Sequence, residues 1–112
     1  MTFEKIYTSV RIADEAVQTT SKQYGFTLAE LREDNRRRTY SDMRSMLMHI
    51  LRTNTGLSLT EIGFVFSRDH SCVIHNVKKV DDLLKTDDGF LMRYEHIKKY
   101  MRKILKILSE YE

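Results

Sequence analysis

Asp69, His70 and Ser71 are three consecutive residues whose side chains can accept or donate hydrogen bonds. They stand immediately before a run of apolar residues at three- and four-residue spacing, which predicts a helix with one buried face. That run comprises Val73, Ile74, Val77, Val80, Leu83 and Leu84. Polar side chains in the first turn of such a helix can contact the edges of DNA bases if the helix enters a groove N-terminus first.

A second short helix is predicted just before this turn. Ser58 and Glu61 have the spacing of a capping box, in which each side chain bonds the backbone N–H of the other residue. Apolar residues follow, and only residues 67–69 separate this helix from the next one. A connection this short forces the two helices to cross, so the stretch predicts a helix-turn-helix.

The same stretch resembles the DNA-binding domain of the bacterial replication initiator DnaA. The matching residues are Glu61-Ile62-Gly63, Arg68-Asp69-His70-Ser71, Val73-Ile74-His75 and Lys78-Lys79-Val80. Upstream, the resemblance extends through Tyr24-Gly25, residues 27–31, the Arg36-Arg37-Arg38 run and Arg44. It covers roughly residues 20–86 and implies an all-α domain that binds double-stranded DNA, with a role in origin recognition or in regulating initiation.

The resemblance also implies which residues contact DNA. The positions of Asp69, His70, Ser71 and Cys72 would face the major groove, where Asp69 could accept from a cytosine amino group and Cys72 could touch a thymine methyl. Arg36 would enter the minor groove, with Arg38 taking its place if the loop is shifted. We predict that a further set of basic residues contacts phosphates: Arg37, Arg38, Arg44, Arg52, Arg68, Lys78 and Lys79.

The chain departs from the family pattern at four positions. The family usually has two small residues before its Arg-Asp-His, whereas here Ser67 stands alone. Cys72 replaces a Thr, Ser or Val, Asn76 replaces a small residue, and Met43 stands where a Pro often precedes the Arg44 position. These departures bear on which DNA sequence is preferred.

The composition agrees with a single helical domain over residues 1–112. The chain has no Pro and only four Gly, which favours helices over turn-rich β structure. The net charge is +3, with arginines clustered ahead of the helix-turn-helix. We expect a cytoplasmic, nucleoid-associated protein with no membrane contact, because no transmembrane or secretory segment is evident and Cys72 is the only cysteine.

The remaining helices follow from periodicity and helix-end residues. A long amphipathic helix is predicted over residues 3–23 and stops at Gly25. Thr27 and Glu30 form a second capping box that opens a short helix, and residues 34–39 are predicted to be a loop. Helices are then expected over residues 41–53, closed by Gly56, and from about residue 90 to the C-terminus. Residues 87–112 are additional to the resemblance; this last helix could pack back on the first helix, dimerise or bind a protein partner, or lie along DNA. Packing back is the simplest arrangement.

No enzyme chemistry is predicted. His70 and His75 are five residues apart, which points them to different sides of a helix, and no second cysteine completes a zinc site. The chain contains no Gly-x-x-x-x-Gly-Lys-Ser/Thr loop, so we expect neither a nucleotide nor another cofactor or metal. Two alternatives to an origin-binding protein stay open: a helical protein–protein interaction module and a transcriptional regulator of the Trp-repressor type.

Overall fold

Six helices account for most of the backbone that the computed structural model describes, which comprises residues 5–34 and 37–111. They are α1 (Val10–Gln23), α2 (Leu28–Arg32), α3 (Arg38–Asn54), α4 (Leu59–Phe66), α5 (His70–Thr86) and α6 (Asp88–Glu110). Within the described residues there is no strand, only an isolated parallel bridge between Ile6 and Thr55. The predicted all-α class, with a central helix-turn-helix and flanking helices, is confirmed.

The predicted start of the first helix was wrong. Residues 5–9 are not helical, and the earlier part of that prediction lies outside the described residues. Ser9 caps α1, because its hydroxyl accepts from the backbone N–H of Ile12. The chain before the cap is held by α3 instead, where the N–H of Ile6 donates to the carbonyl of Asn54 at 2.7 Å.

The predicted loop over residues 34–39 is shorter than expected. Helix α3 begins at Arg38, three residues before the predicted start at Ser41. The carbonyl of Arg37 already accepts the N–H of Ser41 at 3.0 Å, so Arg37 is the N-cap although its side chain makes no capping bond. Arg37 and Arg38 therefore lie at the N-terminus of a helix and not inside a loop.

Both capping boxes are confirmed. The side chains of Thr27 and Ser58 accept from the backbone N–H groups of Glu30 and Glu61, and each glutamate accepts in return from the N–H of its capping residue. These reciprocal bonds satisfy N–H groups that the first turn of a helix leaves without partners. They fix where α2 and α4 begin.

The helices share one apolar core. Each contributes fully buried side chains, among them Val17, Leu31, Leu47, Ile62, Phe66, Val73, Val80, Phe90, Met101 and Leu105. The last helix, α6, packs against α1 and also contacts α3 and α5, so the expectation that it folds back is confirmed. None of the described helices combines the length and the apolar character that a membrane span requires.

A chain of polar side chains centred on the buried His49 ties the helix-turn-helix to the last helix. His49 on α3 is 5% exposed, and its ring nitrogens lie 2.6 Å from the Tyr94 hydroxyl on α6 and 2.7 Å from an Asp81 carboxylate oxygen on α5. Burial raises the pKa of Tyr94 to about 12. Three helices are thereby held in one register through side-chain hydrogen bonds.

Candidate nucleic-acid interface

A one-residue reversal joins α4 to α5. Ser67 adopts the left-handed conformation, at φ 54° and ψ 46°. The N–H of Arg68 donates to the carbonyl of Gly63 at 2.9 Å and that of Ser67 to Phe64 at 3.5 Å, the pattern of a Schellman motif. Where the resembling family has two small residues, Ser67 alone turns the chain.

Gly63 makes this tight turn possible. A Cβ atom built on Gly63 would overlap the carbonyl oxygen of Arg68, which is backbone and cannot rotate away. The absence of a side chain at this position therefore lets the turn close directly over the end of α4. Gly63 is one of the residues that carry the family resemblance, and the close approach of the Arg68 carbonyl explains why a glycine is needed at this position.

Arg68 clamps the turn to the neighbouring helix. Its guanidinium donates to the carbonyls of Arg32 at 2.8 Å and Glu33 at 2.7 Å, at the C-terminal end of α2, and also lies within bonding distance of the carbonyls of Phe66 and Ser67. These bonds orient α4 and α5 relative to α2. The predicted phosphate contact of Arg68 is untested, but the geometry gives this residue a structural role that the sequence did not indicate.

Arg44 is buried, which argues against the phosphate contact predicted for it. It is 8% exposed, and its guanidinium donates to the carbonyl of Leu31 at 2.7 Å and to that of Glu33 at 3.1 Å. Burial and then the nearby positive charge of Arg68 lower the pKa of Arg44. Two guanidinium groups thus converge on the Glu33 carbonyl, and these bonds make Arg44 an internal tie between α2 and α3, while its phosphate contact stays a prediction.

The first turn of α5 presents its polar side chains to solvent. Asp69, His70 and Ser71 are all exposed, and Cys72 is partly buried. Asp69 is the N-cap, with one carboxylate oxygen accepting from the N–H of Cys72 at 2.9 Å. This bond leaves the second carboxylate oxygen available, so capping and contact with a base are compatible.

Asn76 connects this turn to α3. Its amide nitrogen donates to the carbonyl of Cys72 at 2.7 Å and lies 3.3 Å from the Cys72 sulfur, while its amide oxygen is hydrogen-bonded to the hydroxyl of Ser45. The larger residue at this departure from the family pattern therefore holds the Cys72 side chain and fixes α5 against α3. Cys72 and Asn76 depart from the pattern together and touch each other.

Of the basic residues predicted to contact phosphates, Arg38 and Lys79 lie together in the fold, whereas Arg52 lies far from them. Arg38 and Lys79 both face the buried carboxylate of Asp42, with nitrogen–oxygen distances of 3.7 Å and 3.8 Å. Lys78 and Arg37 are exposed near them in sequence, whereas Arg52 is exposed in the last turn of α3. Arg52 lies roughly 20 Å along the helix from Arg38, so the fold does not place it with the others. Arg36 lies outside the described residues.

A groove of about 750 Å³ runs between the start of α3 and the outer face of α5. Its walls include Arg38, His75, Lys78 and Lys79, with the carboxylates of Asp42 and Asp82. Asp42 was not predicted as a site residue, yet it is 5% exposed and lies within ion-pair distance of Arg38 and Lys79. The four-residue spacing from Arg38 to Asp42 was the available signal.

Arg93 on α6 is a further cation at Asp42 that the sequence did not indicate, with its guanidinium 3.9 Å from the carboxylate. Nothing in the spacing of residues so far apart could have joined it to the cluster.

In the part of the chain that the structure describes, no group of three or more His, Cys, Asp or Glu side chains is placed to hold a metal ion.

Comparison with known proteins gives one consistent result. The family described as "Bacterial dnaA protein helix-turn-helix" matches residues 13–80. Among similar proteins named "Chromosomal replication initiator protein DnaA", that of Caldanaerobacter subterraneus subsp. tengcongensis is 31% identical over 94 residues, which is 84% of this chain and 20% of the relative. That of Citrifermentans bemidjiense is 36% identical over 90 residues, or 79% and 20%. The chain spans about a fifth of the length of these curated relatives.

Proposed function

The chain belongs to the bacterial DnaA protein helix-turn-helix family, and from this membership we propose that it binds double-stranded DNA sequence-specifically through α5. The observation that carries the proposal is the exposed first turn of α5. Asp69, His70 and Ser71 stand at its head, held there by the single-residue turn and the Arg68 clamp. Side chains at the start of the second helix of such a motif contact base edges in the major groove.

The groove beside α5 supplies a second support. Phosphates bind where positive charge is concentrated, and Arg38, Lys78 and Lys79 line this groove along α5, beyond its first turn. With the exposed Arg37 these residues provide about four phosphate contacts, so log K should fall against log salt concentration with a slope of about −4. An affinity independent of salt would refute DNA binding.

We propose that the sites are repeats resembling DnaA boxes, and that the chain acts in the cytoplasm on nucleoid DNA, in origin recognition or in the control of initiation. The relatives named as replication initiators support this role. Selecting duplexes from a random pool and mapping the enriched sequence on the chromosome tests it. Enrichment at repeats near the origin supports the proposal, and enrichment at promoters alone favours the transcriptional regulator.

His70→Ala gives the sharpest single test of the binding surface. Loss of one good base contact should weaken binding to the selected duplex by about 1–3 kcal/mol and leave binding to random duplex nearly unchanged. Gln23→Ala is the matched control, because it also removes an exposed polar side chain from the surface of a helix. Equal affinity losses for His70→Ala on both duplexes would show that α5 does not contact bases through this residue.

We further propose that the chain is not an enzyme and uses no cofactor. The support is the lack of a phosphate-cradling glycine loop in the sequence. Equilibrium binding of labelled ATP to the purified chain should show no saturation at micromolar concentration. Saturable binding would contradict this proposal without affecting DNA binding.

A further inference from the structure

Positive charge is concentrated on the last helix. Residues 91–108 contain six basic residues and one acidic residue, a net charge of +5, whereas the whole chain carries +3. The remainder of the chain is therefore net −2. The family model matches residues 13–80, so these charged residues lie beyond its matched range.

Three of these residues form a line that we call the lysine face. Lys99, Lys103 and Lys106 are exposed and follow one another at spacings of four and three residues, which places them on one side of α6. In the described part of the chain none of the three has a carboxylate partner, whereas Lys98 pairs with Glu95 at 3.1 Å. The ammonium groups of the lysine face are therefore exposed to solvent and form no ion pair with a described carboxylate.

The lysine face is remote from the start of α5. Helix α5 has 17 residues and is roughly 25 Å long, and α6 begins beyond its far end. Helix α6 then runs beside α3, with Arg93 near Asp42 and Arg102 bonded to Asn54 at 2.6 Å. Asp42 and Asn54 are roughly 18 Å apart along α3, so Lys103 and Lys106 lie beside the end of α3 opposite to the basic groove.

The chemistry of the lysine face favours duplex phosphates over other polyanions. The side chains of Phe90, Met101 and Leu105 on α6 are buried in the core, so they are not available to insert into a lipid surface. Single-stranded nucleic acid is held by stacking on aromatic side chains, and the three lysines offer none. Ammonium groups in a row act as point charges that match regularly spaced phosphates.

We propose that the lysine face binds the backbone of a second DNA duplex, so that one chain joins two duplex segments. The proposal rests on the proposed function, because the first duplex is the one bound by α5. Contact with the second duplex is independent of its sequence, since lysines reach only phosphates. Three such contacts give a salt slope of about −3 for the second duplex.

A capture experiment tests this arrangement. The selected duplex is immobilised and loaded with the full chain, and a labelled random duplex is added after washing. The wild type should capture the labelled duplex. The combined change Lys99→Gln, Lys103→Gln and Lys106→Gln should lower capture by roughly tenfold or more while affinity for the immobilised duplex is retained. Gln keeps the helix propensity of Lys, so the fold is preserved.

The matched control removes the same charge elsewhere. Lys5→Gln, Lys22→Gln and Lys85→Gln together change three exposed lysines on different parts of the fold. Capture should persist in this control, and equal losses in both triple variants would overturn the proposal, because the effect would then be one of overall charge. Undiminished capture by the lysine-face variant would also overturn it and assign the joining of duplexes to another surface or to dimerisation.

Two further outcomes separate the possible failures. Binding of the wild type to anionic vesicles that is lost in the lysine-face variant, with no capture of a second duplex, would assign the face to lipid and overturn the proposal. A chain that binds the immobilised duplex but captures nothing refutes only the lysine-face proposal. A chain that fails to bind the selected duplex refutes the proposed function at the first step.

Discussion

Asp69 combines two roles that a well-chosen substitution can separate. Its carboxylate caps α5 by accepting from the N–H of Cys72 at 2.9 Å, and the side chain is exposed where the proposed duplex lies. Asp69→Ala removes the cap and any base contact together. Asp69→Asn keeps the cap, because Asn is as good a capping residue as Asp, but replaces one oxygen by an amide nitrogen that can only donate.

The expected magnitudes differ for the two changes. Loss of the cap in Asp69→Ala should cost about 0.5–2 kcal/mol of stability, which lowers Tm by roughly 2–8 °C in a domain of this size. Asp69→Asn loses only the favourable charge at the helix N-terminus, about 0.3–1 kcal/mol, so its Tm should fall less. Both variants should lose about 1–3 kcal/mol on the selected duplex, because an amide donor facing a cytosine amino group forms no hydrogen bond.

The assay combines melting followed by circular dichroism with fluorescence anisotropy on selected and random duplexes at one salt concentration. Binding is measured well below the lowest Tm, so that unfolding does not contribute. Asp88→Asn is the matched control, since it makes the same chemical change in the first turn of α6, away from the proposed duplex. If Asp69→Asn leaves the ratio of specific to random affinity unchanged, Asp69 is a cap alone and the base-contact argument fails.

Three further predictions follow from the packing. Gly63→Ala should destabilise the fold by about 1–3 kcal/mol or more, because the added Cβ overlaps the carbonyl of Arg68; a Tm equal to that of the wild type would refute the tight-turn argument. Arg44→Ala should lower the free energy of unfolding by about 2–4 kcal/mol, because it leaves buried carbonyls without donors. The slope of log K against log salt concentration for DNA binding should stay unchanged in this variant. A slope flatter by about 1 would instead support a phosphate contact by Arg44. The pKa of Tyr94 is about 12 in the folded state against an ordinary value of 10.0, so its protonated hydroxyl contributes stability that is complete below pH 10. This contribution, up to about 2–3 kcal/mol, should be lost as the pH rises from 10 to 12. Tyr94→Phe should remove this pH-dependent loss of stability in urea titrations, and a curve identical to that of the wild type would contradict the prediction.

Helix starts that depend on local capping chemistry were predictable from the sequence. The boxes of Thr27 with Glu30 and of Ser58 with Glu61 are each complete within four residues, so periodicity and spacing identified them. The start of α1 was not predictable in this way. Ile6 continues the apolar spacing of that helix, yet its backbone pairs with the end of α3, a contact between residues nearly fifty positions apart.

The sequence predicted the exposed polar residues at the start of α5, but it did not predict which basic residues are exposed beside them. The exposed first turn of α5 follows from three adjacent polar residues ahead of an apolar period. A count of arginines carries no information about burial, however, so Arg44 and Arg68 were grouped with Arg38 although backbone carbonyls occupy their donors. Only the fold distinguishes a cation that is bonded within the domain from one that is exposed and available to a ligand.

The departures from the family pattern are coupled by the fold rather than independent. With one small residue fewer before Arg68, the turn closes through the left-handed Ser67 directly over Gly63, and Arg68 anchors the shortened turn to the end of α2. One turn further along α5, Asn76 bonds to Cys72 and reaches Ser45 on α3. The backbone position of the first turn is thus held from both sides.

The chemistry of the departures is concentrated at Cys72. The Cys72 sulfur lies 3.3 Å from the amide nitrogen of Asn76. Among the described residues, no such side-chain contact is seen for Asp69, His70 or Ser71, the other predicted base-contacting residues at the start of α5. A sulfur held in this way offers a fixed, weakly polar surface to a base, whereas a Thr or Ser at this position would offer a hydroxyl. Any difference in sequence preference from the named relatives should therefore appear first at the base pair that Cys72 faces, and Asn76→Ala should relax discrimination at that same base pair by releasing the sulfur. If selection with Asn76→Ala enriches the same DNA site as the wild-type chain, with the same sequence preference at every base pair, the proposed coupling between Asn76 and Cys72 is contradicted.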